Sequence, residues 1–174
     1  MVAYVTDVRH SEHDVVDLIG ITRLLPVVVL DDAKVAPLLA GALVAGGLRT
    51  VEITFRTSGA AAAISAVADR GDLLVGAGTV VTADQVDRAV DAGARFVVSP
   101  GFGPSVVRRC QQLGVPVFPG VATAAEIQMA LDAGLSVVKF FPADSSPRNR
   151  WAGPQCSRRW PRRSARCGSS RPVG

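Results

Sequence analysis

The chain has 174 residues, 48% of them hydrophobic and 20% charged, which fits one globular domain and excludes a disordered or fibrous protein. No apolar run reaches the roughly 18 residues of a membrane span, acidic residues through positions 7–17 exclude a secretory leader, and three cysteines fit a reducing cytoplasm better than a disulfide scaffold. The formal charge of +4 is uneven: residues 1–143 carry 11 Lys and Arg against 14 Asp and Glu, a net −3, whereas residues 144–174 carry eight Arg against one Asp, a net +7.

In chain order, residues 11–19 form a first amphipathic helix, expected to cap the bottom of the fold. Residues 24–30 (LLPVVVL) read as a strand. Residues 31–46 place apolar side chains at spacings of three and four, a helix opened by Asp31 or Asp32 and stopped at Gly46 and Gly47. The phrase then recurs. Strands are predicted over 50–54, 73–79, 95–100, 115–120 and 135–142. The helices between them lie over 58–69, 82–92, 104–113 and 123–133. Asp, Ser or Thr opens most of these helices and glycine closes most of them. Six βα phrases of near-uniform length predict an all-parallel sheet, either an open doubly wound sheet or a (β/α)8 barrel. The uniform period favours the barrel. The lack of a glycine-rich dinucleotide fingerprint after the first strand weakens the open sheet.

Residues 144–174 break the pattern. They hold eight Arg, six Ser, four Pro, both Trp and two of the three Cys, but no Leu, Ile, Phe or Lys. Burial in such a segment cannot offset its ordering entropy. The domain expectation is therefore a barrel-type unit over 1–143 and a basic segment over 144–174.

In parallel barrels chemistry sits where strands end and βα loops begin. Lys139 lies in Val137-Val138-Lys139-Phe140-Phe141, and the chain has 17 Arg but only two Lys. Arginine cannot lose its proton, so a lysine in an apolar strand is what imine chemistry requires, burial favouring the neutral nucleophilic amine. The competing reading is a lysine that snorkels from the strand end or pairs with a carboxylate. Glu52 occupies an equally apolar strand. It shares strand parity with Thr54 and Arg56, so it can act as a general acid and base beside Lys139 or pair structurally with Arg56. Arg56 has the fork geometry for a carboxylate or phosphate. Thr79 follows Gly76-Ala77-Gly78, whose small residues let a ligand approach the backbone. Cys110 reads as packing, and neither it nor His10, His13, Cys156 or Cys167 has metal-ligand spacing.

Taken together, Leu25-Pro26-Val27-Val28, Ala45-Gly46-Gly47, Glu52-Ile53-Thr54-Phe55-Arg56-Thr57, Gly76-Ala77-Gly78-Thr79-Val80, Ser99-Pro100-Gly101, Pro119-Gly120 and Lys139-Phe140-Phe141-Pro142-Ala143 appear in one order with one set of gaps. On these segments the chain resembles the bacterial 2-dehydro-3-deoxy-phosphogluconate and 4-hydroxy-2-oxoglutarate aldolases. The resemblance implies a class I aldolase on a (β/α)8 TIM barrel that needs no metal or other cofactor, a cytoplasmic homotrimer acting on a 2-keto acid. It places Lys139 on the Schiff-base lysine and Glu52 on the proton-transfer residue. Arg56 and Thr79 fall on positions that bind the pyruvyl carboxylate, Pro100 and Phe141 on positions that line the pocket.

The resemblance stops after Ala143, so the barrel is expected to be truncated after strand six, without the two further strands and the phosphate-binding turn of the family. The composition of 144–174 is that of a GC-rich gene read out of frame. Two unpaired sheet edges would then favour poor folding or association, and loss of the phosphate site would favour non-phosphorylated 2-keto acids. Two rival expectations are nucleic-acid binding by the basic, tryptophan-bearing segment and an inactive product.

Overall fold

The computed structural model describes residues 12–143. The chain divides into two units, Met1–Pro142 and Ala143–Gly174, and every strand and helix described lies in the first. The expectations for residues 1–11 and 144–174, including His10, Cys156 and Cys167, lie outside the described residues.

Six strands form one parallel sheet in sequential order: β1 (Val27–Val28), β2 (Thr50–Thr54), β3 (Leu74–Gly78), β4 (Val97–Ser99), β5 (Val117–Val121) and β6 (Lys139–Phe140). Six helices accompany them: α1 (Glu12–Thr22) before the first strand, then α2 (Ala36–Ala45), α3 (Ala60–Ser65), α4 (Ala83–Asp91), α5 (Pro104–Leu113) and α6 (Ala124–Asp132). Each βα phrase read from the sequence is present, though β1, β4, β6 and α3 are half their predicted length or less. The helix expected over 31–46 begins instead with a single 3-10 turn, Ala33–Val35, capped by the Asp32 carboxylate on the Lys34 amide at 2.9 Å. Pro37 falls in the first turn of α2, where its missing N–H costs nothing.

The sheet is curled. Glu52 of β2 and Lys139 of β6, with three strands between them in the sheet, meet across its concave side. Alternation along each strand sorts the side chains into two layers. Val51, Ile53, Val75, Ala77, Val97 and Val117 face outward and pack with the helices in the larger hydrophobic core. Leu74, Phe96, Val98 and Phe118 face the concave side and pack with Val15, Val16 and Ile19 of α1. Helix α1 thus seals the end of the concavity at which the strands begin, as the sequence predicts, and leaves the end at which they finish. Phe96 and Phe118 meet edge to face there, with centroids 6.1 Å apart. Among the described residues no helix is long and apolar enough to cross a membrane.

Candidate functional site

A cavity of about 300 Å³ occupies the concave side of the sheet. Its walls are apolar, Val16 and Ile19 from α1, Val98 and Phe118 from the middle strands, and its polar atoms come from Glu52 and Lys139. The Lys139 Nζ lies 3.7 Å from the Glu52 Oε2. That separation is an ion pair, too long for a hydrogen bond, and both carboxylate oxygens are buried without a hydrogen-bond partner. Glu52 is 1% exposed and Lys139 31%. Lys139 is therefore less buried than its apolar neighbours in sequence imply, and of those neighbours Phe140 and Phe141 are themselves exposed.

Burial pushes the Glu52 carboxyl up from its ordinary value near 4.5. The positive charge of Lys139 and, more weakly, that of Arg56 pull it down without cancelling the effect. A carboxylate held this way is a stronger base than an exposed one, and it sits within reach of an amine. The Lys139 ammonium also stands over the ring of Phe141, two residues on, 5.2 Å from its centroid.

The glycine of Gly78 makes the arrangement possible. A Cβ there would overlap the Glu52 carboxylate, so the glycine gives room to a side chain of the protein itself rather than to an approaching ligand. Gly76 in the same way admits the Phe96 ring, and Gly120, in register with Lys139, admits the Pro100 carbonyl. The signal in the sequence is a set of small residues at strand parity. Its meaning depends on which partner the curvature brings in.

The remaining predicted residues are gathered less tightly. Parity with Glu52 predicts an inward-facing Arg56, but β2 ends at Thr54 and the chain turns, leaving Arg56 exposed. Parity does not extend past the end of a strand. Arg56 pairs with Glu52 only through its long-range pull, while Lys139 takes the closer place that the structural-pair reading gives to Arg56. Thr79 follows β3, half-buried, with φ at +55°, a left-handed conformation that a β-branched residue seldom adopts. Pro100 closes β4 and lines an adjoining hollow of about 260 Å³ with Val80, Val81 and Phe102, not the cavity of Glu52 and Lys139. Cys110 is fully buried in α5, its thiol pushed up to about 12 by burial, which suits the packing role read from its sequence context. No group of three or more His, Cys, Asp or Glu among the described residues could hold a metal ion.

Comparison with known proteins converges on one family. The sequence model for "KDPG and KHG aldolase" matches residues 15–148. The 2-dehydro-3-deoxy-phosphogluconate aldolase of Treponema pallidum is 54% identical over 123 residues, covering 70% of this chain and 59% of the relative. That of Haemophilus influenzae is 44% identical over 138 residues, covering 79% and 65%. Among solved structures, the aldolase of Zymomonas mobilis ZM4 with 3-phosphoglycerate superposes with a TM-score of 0.67 at 42% identity, covering 73% of this chain and 62% of that one. The KDPG aldolase of Legionella pneumophila, with pyruvate captured as a covalent carbinolamine, gives 0.66 at 41%, covering 68% and 58%. The chain thus spans less than two thirds of the length of these relatives. With a parallel six-stranded half-barrel, a lysine and a buried glutamate facing one another across its hollow, and a family match over most of its length, the chain belongs to the KDPG and KHG aldolases.

Proposed function

We propose that the protein is a class I aldolase that cleaves a 2-keto acid to pyruvate and an aldehyde through an imine on Lys139. The substrates that fit this reading are 2-dehydro-3-deoxy-6-phosphogluconate and 4-hydroxy-2-oxoglutarate. The observation that carries it is the Lys139 Nζ, 3.7 Å from a carboxylate that is 1% exposed, on the hollow side of a curled parallel sheet.

The chemistry follows from that pair. Glu52, its basicity strengthened by burial, takes a proton from the Lys139 ammonium and leaves a neutral amine. The amine adds to the C2 ketone, and Glu52 returns its proton to the departing C2 hydroxyl, so that loss of water gives the protonated imine and restores the Glu52 carboxylate. Glu52 then accepts the C4 hydroxyl proton as the C3–C4 bond breaks. The aldehyde departs, and the bonding electrons pass into the imine, forming an enamine. Return of a proton to C3 and hydrolysis release pyruvate and regenerate the amine. Arg56, at the open end of β2, and Thr79, whose turn places its hydroxyl beyond β3, are proposed to hold the pyruvyl carboxylate. Phe141 and Pro100 are proposed to wall the substrate.

On this reading the described strands are six of a (β/α)8 barrel, and the enzyme works in the cytoplasm as a homotrimer, which sedimentation velocity tests. Residues 144–174 take no part in the chemistry and stem from a shifted reading frame. The gene tests this: another frame downstream of codon 144 must encode two further βα units.

Incubation with pyruvate and borohydride, followed by peptide mass analysis, tests the activity. The expected result is a reduced pyruvyl adduct on Lys139, absent after Lys139→Met. If Lys139 is only a charge partner for Glu52, no adduct forms and the proposal fails.

A further inference from the structure

The concave face of β2 presents three polar side chains in alternation, Thr50, Glu52 and Thr54, all buried. Two are accounted for. Thr50 donates to the Leu24 carbonyl at 3.5 Å, and Glu52 faces Lys139. Thr54 is not: its side chain has no exposure, and its Oγ1 has no hydrogen-bond partner. A buried hydroxyl without a partner is unfavourable, and valine would fill the same volume in a strand without that penalty. The hydroxyl is therefore explained by something it binds.

Sheet register shows where that is. Thr54 is paired with Gly78, and Gly78 is the residue whose missing Cβ leaves space for the Glu52 carboxylate. The carboxylate thus bends up from its own position to the level of Thr54. Three buried polar atoms without partners, both oxygens of Glu52 and the Oγ1 of Thr54, thus belong to one face of β2 near the level of Gly78, and the Glu52 Oε2 lies 3.7 Å from the Lys139 Nζ. A hydroxyl can donate and accept, whereas a carboxylate only accepts, so the two together suit one oxygen that carries a proton.

We propose that Thr54 is a positioning residue which, with Glu52, brackets a single proton-carrying oxygen, either a water molecule or the C4 hydroxyl of the substrate. This rests on the aldolase reading, and the two sources of oxygen separate by experiment. Pyruvate has no C4 hydroxyl. Exchange of its methyl protons with deuterium, followed by NMR, needs only the imine and a proton relay, whereas cleavage of 4-hydroxy-2-oxoglutarate uses the hydroxyl as well.

The test compares the unaltered chain, Thr54→Val and Thr54→Ser in three assays: borohydride trapping of pyruvate on Lys139, methyl exchange, and cleavage. For Thr54→Val the expected result is trapping as in the parent and a drop of about 10- to 100-fold in kcat with little change in KM, while Thr54→Ser restores the rate. If exchange and cleavage fall together, the oxygen is water; if cleavage alone falls, it is the C4 hydroxyl. Unchanged exchange and cleavage in Thr54→Val overturn the proposal while leaving the aldolase reading intact. A parent chain that traps pyruvate but neither exchanges nor cleaves overturns the proposal together with the cleavage step of that reading, leaving only imine formation on Lys139. A parent chain that fails to trap pyruvate overturns both. Should Thr54→Val not fold, Thr54→Cys, similar in size with a far weaker donor, carries the same comparison.

Discussion

Burial and charge act on Glu52 in opposite senses, and burial wins. The consequence for stability has a definite sign. A carboxyl whose pKa is raised by folding favours the folded state while it is protonated, fully so below the ordinary value near 4.5. That contribution is lost as pH rises through the raised folded value. Once ionised, Glu52 is therefore a burden on the fold, retained beside a lysine that is still partly in water. Glu52→Gln removes the charge and keeps the shape. The expected outcome is a loss of about 10²- to 10⁴-fold in kcat, together with a higher melting temperature than the parent at pH 7, the direction that the raised Glu52 value sets. Thermal melts across pH check the sign: the advantage of the variant should grow from pH 4 to pH 7. If the variant melts lower at pH 7, Lys139 compensates the buried charge more fully than its distance implies.

At the scale of elements, helix ends carry much of the local specification. Thr82 and Thr123 each form a full capping box, with Gln85 and Glu126 reaching back to the cap amides. Hydrogen bonds from Ala122, then those from Thr123, hold the Glu126 carboxyl below its ordinary value. Thr123→Ala should lower stability by about 1 kcal/mol in urea titrations, and the support that Glu126 adds to this cap should fade as pH falls through its depressed value. A variant indistinguishable from the parent would mean that α6 is held by packing alone. These ends are legible in sequence because a cap is local: a Thr three residues before a Gln or Glu, and Gly47, Gly93, Gly114 and Gly134 with positive φ just past their helices. Strand order is legible for the same reason, since each βα phrase adds one neighbour. Lys139 and Glu52 stand out as charges in apolar strands, but their meeting does not, because it depends on the curl of four intervening strand spacings. The exposure of Arg56 and the purpose of Gly78 also depend on tertiary position. So does the isolation of Thr54, whose parity with Glu52 is visible in sequence but whose want of a partner is not.

For the folded unit as a whole, curvature creates the site but leaves edges. Among the described residues β1 and β6 each pair on one side only. Apolar side chains crowd both: Leu24, Val27 and Val29 are largely exposed at the first, Phe140 at the second. Exposed apolar strand edges are templates for pairing with other chains, and natural sheets protect them with lysine. This first unit offers no such protection at Val29 or Phe140, and neither residue lines the cavity of Glu52 and Lys139. Joint substitution Val29→Lys and Phe140→Lys should slow concentration-dependent aggregation followed by light scattering while leaving trapping of pyruvate on Lys139 in place. The rise in net charge is controlled by two lysines placed instead on the exposed helix positions Asp84 and Asp91, which raise the charge further without touching an edge. Suppression by the edge pair and not by the helix pair assigns the aggregation to β1 and β6. Equal suppression by both would make charge the cause and acquit the edges.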